Sequence, residues 1–331
     1  MSAALPNDVA AVHAMPRSDA PRVGVIANPR SHRNKGKEQL RERGENVRVA
    51  IPRDHDALVE ELDRFKRDGI ELLVISGGDG TVRDVLTAGL RVFAADWPVV
   101  AVLPKGKTNA LTVDLDAPTP WTLDEAIAAY RKGRRIKRHP LSIAPAGKPD
   151  QAMLGFILGA GAFTLGIDKG QDAHRWGAFD SLAVAVTIVW GIAGTLAGSR
   201  RNAWRQGAEM EILLGPDRTP LPHSGEGDPK RRQVLLASTL ERFPVGIKPF
   251  GNHTRGLKLG VLDQVKRRTT LRLPFILMGT KFDAMERKGF FQCAVESFQL
   301  TLADAFILDG EAYPGGTFDV TQGPEITFVT P

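Results

Sequence analysis

The stretch LLVISGGDGTVRDVLTAGL (Leu72–Leu90) places an apolar run directly before a glycine-rich turn and a second apolar pattern. The first run predicts a buried strand, and the second predicts a helix that starts at Thr81. Because glycine tolerates positive φ, we expect the backbone N–H groups of Gly77, Gly78 and Gly80 to converge on one anion. The N-terminus of a helix adds partial positive charge, so this turn favours a phosphate group.

Asp79 adds a carboxylate to this turn, where it needs a cation or a hydrogen-bond donor as a partner. A magnesium ion bound to phosphate would supply the cation. A purely structural use of the glycines is the alternative. Three glycines around one Asp between a strand and a helix favour the phosphate site.

Two other strand ends carry residues of a similar kind. The strand VGVIA (23–27) runs into Asn28-Pro29-Arg30-Ser31. The strand VVAVL (99–103) runs into a turn of six residues, Pro104-Lys105-Gly106-Lys107-Thr108-Asn109. Ligands of parallel sheets bind where strands end, so we expect these two turns to lie beside the glycine turn.

The third turn also resembles a P-loop, which is a different class of nucleotide site. The sequence from Ala101 to Thr108 has the P-loop spacing, but Ala101 stands where the first glycine belongs. In a P-loop that position lies in the turn, whereas Ala101 lies within a predicted strand. A P-loop NTPase is therefore the weaker interpretation.

The chain divides into two halves of different pattern. Its 331 residues correspond to about two domains at about 150 residues each. From Arg22 to Arg138 short apolar runs alternate with helical patterns, which predicts βαβ units and a parallel sheet. From residue 139 onward apolar runs recur between Gly, Pro and Asp, which predicts an antiparallel sandwich or barrel. Helices are expected near 176–197 and 271–280, and residues 1–21 are predicted to be a disordered tail without a signal peptide.

Composition and charge exclude several classes of protein. Hydrophobic residues make up 42% and charged residues 25%, which excludes wholesale disorder and a coiled coil. The single cysteine, Cys293, excludes an intramolecular disulfide framework and a zinc site built from cysteines. The net charge of +6 is modest. Nucleic acid is not expected as a partner, since no binding motif accompanies the basic clusters.

One segment requires a test for membrane spanning. Ser181–Ser199 has no charged residue and approaches spanning length, but it is rich in Gly, Ala and Thr. We favour a buried helix, or a helix facing a lipid pocket, over a transmembrane span. Leu271–Gly279 could line an acyl-chain pocket or belong to the core, and basic clusters such as Arg131–Arg138 would be attracted to an anionic leaflet.

These turns together resemble the diacylglycerol kinase catalytic family, which includes sphingosine and ceramide kinases and bacterial lipid kinases. The family's signatures are Asn-Pro-x-Ser, GGDGT, Pro-x-Gly-Thr-x-Asn and a late Asp-Gly-Glu, here Asp309-Gly310-Glu311. The resemblance covers residues 22–331. It implies an α/β plus mainly-β fold: a Rossmann-like nucleotide domain, 22–138 with a returning segment 312–331, and a β-sandwich-like acceptor domain, 139–311.

The resemblance also implies an activity and roles for individual residues. The family transfers the γ-phosphate of ATP, with Mg²⁺, to a lipid hydroxyl. Either Glu311 or Asp309 would be the base, and we favour Glu311; Asp309 and Asp79 would be further catalytic residues and magnesium ligands. The residues that would hold the nucleotide phosphates are Asn28, Pro29, Arg30, Ser31, Gly77, Gly78, Gly80, Thr81, Asp84, Gly106, Lys107, Thr108 and Asn109.

Three positions depart from the family pattern. Lys107 replaces the threonine of Gly-Thr, Gly161–Thr164 lacks the family's Asp, and Arg255-Gly256 stands where bacterial members have an Asp-Gly of an accessory magnesium site. A degenerate binder of nucleotide or lipid therefore stays an alternative. Diacylglycerol, ceramide and sphingoid bases are all candidate acceptors. We expect a cytoplasmic protein, peripheral at the anionic inner membrane face, and leave a homodimer open.

Overall fold

The structure is a computed structural model that describes residues 21–29, 31, 46–106, 109–162, 164, 206–264, 266, 271–282 and 284–331. Most of the predicted tail, the helix expected near 176–197 and the segment Ser181–Ser199 lie outside these residues. So do Arg30, Lys107 and Thr108, and therefore parts of two of the predicted turns. Across the part of the chain that is described, no helix is both long and apolar enough to cross a membrane.

The first sheet has six strands and is parallel except at one edge. Its strands are β1 (Val23–Ala27), β2 (Val47–Ala50), β3 (Leu72–Gly77), β4 (Val99–Pro104), β5 (Arg134–Arg138) and β18 (Ile326–Thr330). They lie in the order β2-β1-β3-β4-β18-β5, and only β5 runs antiparallel to its neighbour. The four predicted strands of this half are thus confirmed, and β1, β3 and β4 lie side by side.

Helices cover both faces of this sheet, so the domain has three layers. The helices are α1 (His55–Arg67), α2 (Asp79–Phe93), α3 (Ala110–Asp114) and α4 (Leu123–Lys132). Leu62 and Phe65 of α1 pack with α2 on one face, whereas Leu123 and Ala126 of α4 pack on the other. α4 begins with the predicted capping box, in which Thr122 and Glu125 each satisfy the other's backbone N–H.

The second sheet is antiparallel and folds over a single core. Its strands are β6 (Leu141–Pro145), β7 (Met153–Gly155), β8 (Ile157–Gly161), β9 (Ala208–Leu214), β10 (Thr219–Pro220), β11 (Arg231–Ser238), β12 (Leu257–Asp263), β13 (Phe290–Val295), β14 (Ser297–Leu302), β15 (Phe306–Leu308), β16 (Glu311–Tyr313) and β17 (Gly316–Gln322). β9 and β11 join its two halves through two residue pairs, Arg231 with Glu209 and Arg232 with Ala208. Side chains of both halves form one buried cluster, as the predicted sandwich requires.

The chain returns to the first sheet later than predicted. The resemblance implied a return over 312–331, but β16 and β17 still belong to the second sheet, where Phe318 and Val320 face its core. Only β18 returns, between β4 and β5. Phe328 of β18 is fully buried and its ring lies edge-on to Phe156, with centroids 6.4 Å apart. The segments around Phe156 and the hairpin β15–β16 are thereby held beside the first sheet.

The helix expected near 271–280 is a single turn, α5 (Leu273–Leu277). It ends because Gly279 adopts a φ of +89°, which leaves the helical region. Ile276 is the residue of this turn that enters the core, where it packs with Leu262 and Phe290.

Candidate active site

The three predicted turns meet at one edge of the first sheet. The Asn28 side chain donates a hydrogen bond to Thr81 Oγ1 over 3.0 Å, which joins the turn after β1 to the turn after β3. The Lys105 N–H donates to the Gly77 carbonyl over 2.9 Å, which joins the turn after β4 to the same strand end. The Ser31 N–H donates to the Asn28 carbonyl over 3.2 Å and closes the turn that contains Pro29.

Gly77 and Gly78 of the central turn are needed because a side chain has no room at either position, and the positive φ expected for these glycines is wrong. Gly78 has a φ of −97° and is the N-cap of α2, which begins at Asp79, two residues before the predicted start. Neither Gly77 nor Gly80 has a positive φ. A Cβ on Gly77 would lie 2.4 Å from the Cβ of Thr81, so a side chain there would displace the first turn of α2.

The turns after β3 and β4 approach each other backbone to backbone. A Cβ on Gly106 would lie 2.7 Å from Gly78 Cα, and a Cβ on Gly78 would lie 3.0 Å from Gly106 Cα. Asn109 closes the turn on itself, since its side chain accepts from the Gly106 N–H and donates to the Gly106 carbonyl, each over 2.9 Å. Asn109 was predicted to bind phosphate, and here its amide supports the backbone that would do so.

Ala101 lies inside β4 and is fully buried, and the strand extends through Pro104. A P-loop needs a flexible turn at the position of Ala101. The position of Ala101 in the structure therefore argues against a P-loop.

Asp79 finds hydrogen-bond donors inside the protein. Burial raises the pKa of Asp79, and hydrogen bonds from the backbone N–H groups of Ala110, Leu111 and Asn109 oppose that rise. The carboxylate therefore caps the N-terminus of α3 and connects the turn after β3 to the turn after β4. The sequence indicated that Asp79 needs a partner, but the donors come from a helix 30 residues away along the chain.

Asp309 reaches this edge from the second sheet. The Asp309-Gly310 pair forms the turn of the β15–β16 hairpin, with φ values of +47° and +86°. Both central residues of a type I′ turn require positive φ, which Asp-Gly tolerates. The Asp309 carboxylate accepts hydrogen bonds from the N–H groups of Phe156, at 3.0 Å, and Ile157, at 2.9 Å.

Asp79 and Asp309 are close enough for their charges to interact. Burial and, after it, the neighbouring charge of Asp79 raise the pKa of Asp309 to about 7, against the lowering effect of the N–H groups of Ile157 and Phe156 and of Arg83. The structure thus brings together two of the three residues predicted to be catalytic. They come from different domains.

Arg83 is the residue that sequence reasoning missed. Its side chain is 5% exposed and binds Asp84 and Glu311, whose side chains are 53% and 59% exposed. Its Nη2 donates to Asp84 Oδ1 over 2.7 Å and to Glu311 Oε2, and its Nη1 donates to the Leu308 carbonyl over 3.2 Å. Burial alone would lower the pKa of Arg83, but Asp84 outweighs it with help from Tyr313 and Glu311, so the pKa is raised.

A signal for Arg83 was present in the sequence. Arg83 lies on the face of α2 that also carries Val82 and Leu86, and both of these are buried. A charged residue on a buried helix face needs a partner of opposite charge. The partner, Glu311, follows 228 residues later, so the pairing itself could not be deduced.

Residues 22–144 match the family of the diacylglycerol kinase catalytic domain. That segment carries all three strand-end turns. The match covers a little more than a third of the chain. Among curated proteins, "Probable lipid kinase YegS" of Escherichia coli O127:H6 is 28% identical over 97 residues, which are 29% of this chain and 32% of that protein. The protein of the same name from Escherichia coli O1:K1 is 27% identical over 97 residues, again 29% of this chain and 32% of that protein. The chain therefore aligns with about a third of the length of these relatives.

Two solved structures from Bacillus anthracis str. Sterne, both named for diacylglycerol kinase, share the fold along nearly the whole chain. One has a TM-score of 0.65 and 15% identity, and the alignment covers 96% of this chain and 97% of that protein's chain. Another has a TM-score of 0.57 and 13% identity, and the alignment covers 95% of this chain and 98% of that protein's chain. At these identities the likeness shows the fold, including the β-rich second domain that the match to the family leaves out.

The contact between the two turns generates a prediction for Gly106. Gly106→Ala places a Cβ against the Gly78 backbone, so we expect it to lower the free energy of unfolding by about 1–3 kcal/mol, measured by urea denaturation. Gly80→Ala is the matched control. Its Cβ would lie no closer than 3.8 Å to Arg83 Nη2, and alanine favours a helix. Equal stability of Gly106→Ala and the wild type would contradict the close approach.

The environment of Asp309 generates a prediction for the effect of pH on stability. Its folded-state pKa lies near 7 against an ordinary 3.8, so the folded protein binds this proton more tightly than the unfolded chain does. Stability contributed by the group is therefore lost as pH rises from about 4 to about 7. Asp309→Asn removes this titration, so we expect its melting temperature, relative to the wild type, to be higher at about pH 8 than at about pH 5.

The measurement is thermal unfolding without added nucleotide or magnesium. Asp150→Asn, on an exposed turn, serves as the control and should show no such dependence. A melting-temperature difference for Asp309→Asn that is the same at both pH values would show that burial does not hold the proton on Asp309.

Proposed function

We propose that the chain is an ATP-dependent lipid kinase that transfers the γ-phosphate of ATP to a hydroxyl group of a membrane lipid. One observation carries the proposal. Three turns at adjacent strand ends of a diacylglycerol-kinase-type domain meet a group of carboxylates, two of which come from the second sheet. Phosphoryl transfer needs a site for phosphates, charge neutralisation and a base near the acceptor, and these residues are suited to each task.

The N-terminus of α2 is suited to the phosphates of ATP. No side chain caps it, because the N-cap residue is Gly78. The N–H groups of the first turn of a helix can donate to phosphate oxygens, and the helix dipole favours their charge. Gly78 and Gly106 themselves bring no side chain to this approach.

The carboxylates could hold a magnesium ion only if phosphate groups of the nucleotide also bound it. Within the described ranges, no group of three or more His, Cys, Asp or Glu residues could hold a metal by itself. Mg²⁺ in nucleotide sites is usually held by one or two carboxylates together with substrate phosphates. Asp79 and Asp309 suit that arrangement, because the charge of Asp79 raises the pKa of Asp309 and a bound cation would relieve that repulsion. When bound there, the ion would neutralise charge on the transferred phosphoryl group.

Glu311 is the residue that we assign as the base. Its carboxylate is more than half exposed and is held through Oε2 by Arg83, which leaves Oε1 for the acceptor. The acceptor oxygen forms a bond to the γ-phosphorus, the bond between that phosphorus and the β–γ bridging oxygen breaks, and ADP leaves. The hydroxyl proton passes to Glu311. Asp84 shares Arg83 with Glu311 and would keep the guanidinium in place.

The cellular setting follows from the acceptor. A membrane lipid and cytoplasmic ATP meet at the inner face of a membrane, so we place the protein in the cytoplasm as a peripheral membrane protein. Diacylglycerol, ceramide and sphingoid bases each present a hydroxyl on an apolar body, and they form the acceptor class that we propose.

The first test is transfer of labelled γ-phosphate from Mg-ATP to a panel of diacylglycerol, ceramide and sphingosine. We expect one lipid to become labelled, and we expect Glu311→Gln to slow its labelling by about 10²–10⁴-fold, the usual contribution of a general base. Glu325→Gln is the matched control, since Glu325 lies before β18 and pairs with Lys137. Intact ATP binding without a labelled lipid would favour a non-catalytic binder instead.

The second test concerns Arg83 as a positioning residue for Glu311. Arg83→Met keeps much of the side-chain volume without its charge, and we expect it to lower kcat by about 10-fold or more with little change in KM. Arg83→Lys should recover part of the loss, because it keeps one donor. If Arg83 acts through Glu311, the double variant Arg83→Met, Glu311→Gln is no slower than Glu311→Gln. Losses in kcat that multiply would refute this role.

A further inference from the structure

Exposed apolar side chains gather around α5. Leu271, Phe275 and Met278 are 58%, 58% and 67% exposed. Phe275 lies within α5, and Leu271 and Met278 flank its two ends. Ile276, between them, is buried and holds the turn to the second domain.

A fourth exposed residue, Val245, belongs to the same surface. It is 68% exposed and lies in the turn Pro244–Gly246. This turn is tied to α5, because the Lys248 N–H donates to the Leu277 carbonyl over 2.6 Å. Val245 also has a φ of +60°, which is strained for a β-branched residue, so neither burial nor backbone geometry explains a valine here. We name the surface formed by Val245, Leu271, Phe275 and Met278 the α5 face.

The α5 face is linked to the candidate active site through α3. Asp114, at the end of α3, accepts hydrogen bonds from the N–H groups of Glu241, at 2.8 Å, and Arg242, at 2.7 Å. Arg242 lies three residues before Val245. The opposite end of α3 is capped by Asp79. A ligand held on the α5 face would thus meet the protein beside the turn after β4.

The charge around the α5 face is mainly positive. Between residues 241 and 286 the sequence has nine Lys and Arg residues and four acidic residues, Glu241, Asp263, Asp283 and Glu286. Asp263 is fully buried and bound to Arg232, so it does not affect the surface. The exposed basic residues that the structure describes in the segments forming this face are Arg242, Lys248, Arg272 and Lys281.

We infer that the α5 face docks the protein onto an anionic membrane. The apolar side chains would enter the boundary between headgroups and acyl chains, and the basic side chains would contact lipid phosphates. A second copy of the chain is a poorer occupant, since two basic faces repel each other. The inference rests on the proposed function in one respect, since docking here would deliver a lipid hydroxyl to the neighbouring site.

The experiment measures vesicle binding by the full chain, separately from catalysis. We expect co-sedimentation with vesicles of phosphatidylglycerol and phosphatidylcholine, weak binding to phosphatidylcholine alone, and release as the salt concentration rises from about 0.1 M to about 1 M. The double variant Phe275→Ser, Met278→Ser should bind at least about 10-fold more weakly. Lys248→Gln with Lys281→Gln should weaken binding to the anionic vesicles about 25-fold, at about fivefold per residue.

Ile51→Ser is the matched control, because Ile51 is an apolar residue of the first domain with 56% exposure. It should bind vesicles as the wild type does. Wild-type protein that fails to bind the anionic vesicles, or a Phe275, Met278 double variant that binds as well as the wild type, would overturn the inference. A wild-type dimer that dissociates in the double variant, seen by sedimentation equilibrium, would assign the face to self-association and overturn it equally.

A second readout separates this inference from the proposed function. With a short-chain acceptor dispersed in water, the α5-face variants should phosphorylate at the wild-type rate, since docking is no longer needed. Vesicle binding without phosphorylation of any acceptor would defeat the proposed function and leave the docking surface standing. Equal loss of short-chain activity in the α5-face variants would show that the substitutions damage the fold or site, and docking would then lose its support.

Discussion

A buried guanidinium holds the two domains in the arrangement on which the candidate site depends. Arg83 lies on α2, and its three partners are Asp84 beside it and Glu311 and the Leu308 carbonyl in the β15–β16 hairpin. Burying a charge is costly unless it is paired and hydrogen-bonded, and here two carboxylates and a carbonyl meet that need. The same contacts fix Glu311 relative to the first turn of α2. Folding and the placement of the proposed base therefore share one set of hydrogen bonds.

The strand, turn and helix of the site could be predicted from the sequence. Why each glycine is needed in the turn could be predicted only in part. Leu72–Leu90 forms the strand, turn and helix that its pattern predicts, and all four early strands lie where apolar runs indicated. The glycines were expected to supply positive φ, yet Gly78 is needed because Gly106 comes within contact distance. That requirement joins two turns 28 residues apart, so no pattern within either turn reveals it. Periodicity shows which residues form an element, but it does not show which elements touch.

The partners of the charged residues also could not be deduced from sequence patterns. Reasoning from sequence established that Asp79 requires a cation or donors, and the structure supplies the N–H groups of α3 as donors. It could not establish that Asp309, 230 residues later, would lie near enough for the charge of Asp79 to raise its pKa. The position of Asp309 depends on the β15–β16 hairpin, which pairs with β8, and on its hydrogen bonds from the N–H groups of Phe156 and Ile157. Which carboxylates meet thus depends on strand pairing within the second sheet, and that pairing is a property of the whole fold.

The short helix α3 shows how the domains can act on the site together. It is too short to be stable alone, and its ends are held by Asp79 on one side and by the Glu241–Arg242 backbone on the other. The turn after β4, which carries Gly106, leads directly into it. Any movement of the second domain that shifts the Glu241 loop must therefore either break the bonds of Asp114 or carry α3 with it. Asp114 is fully buried and also bound by Arg138, so breaking those bonds would leave a buried charge short of partners. Moving α3 is the less costly outcome, and it would couple whatever the second domain binds to the spacing of the two turns proposed to hold phosphate.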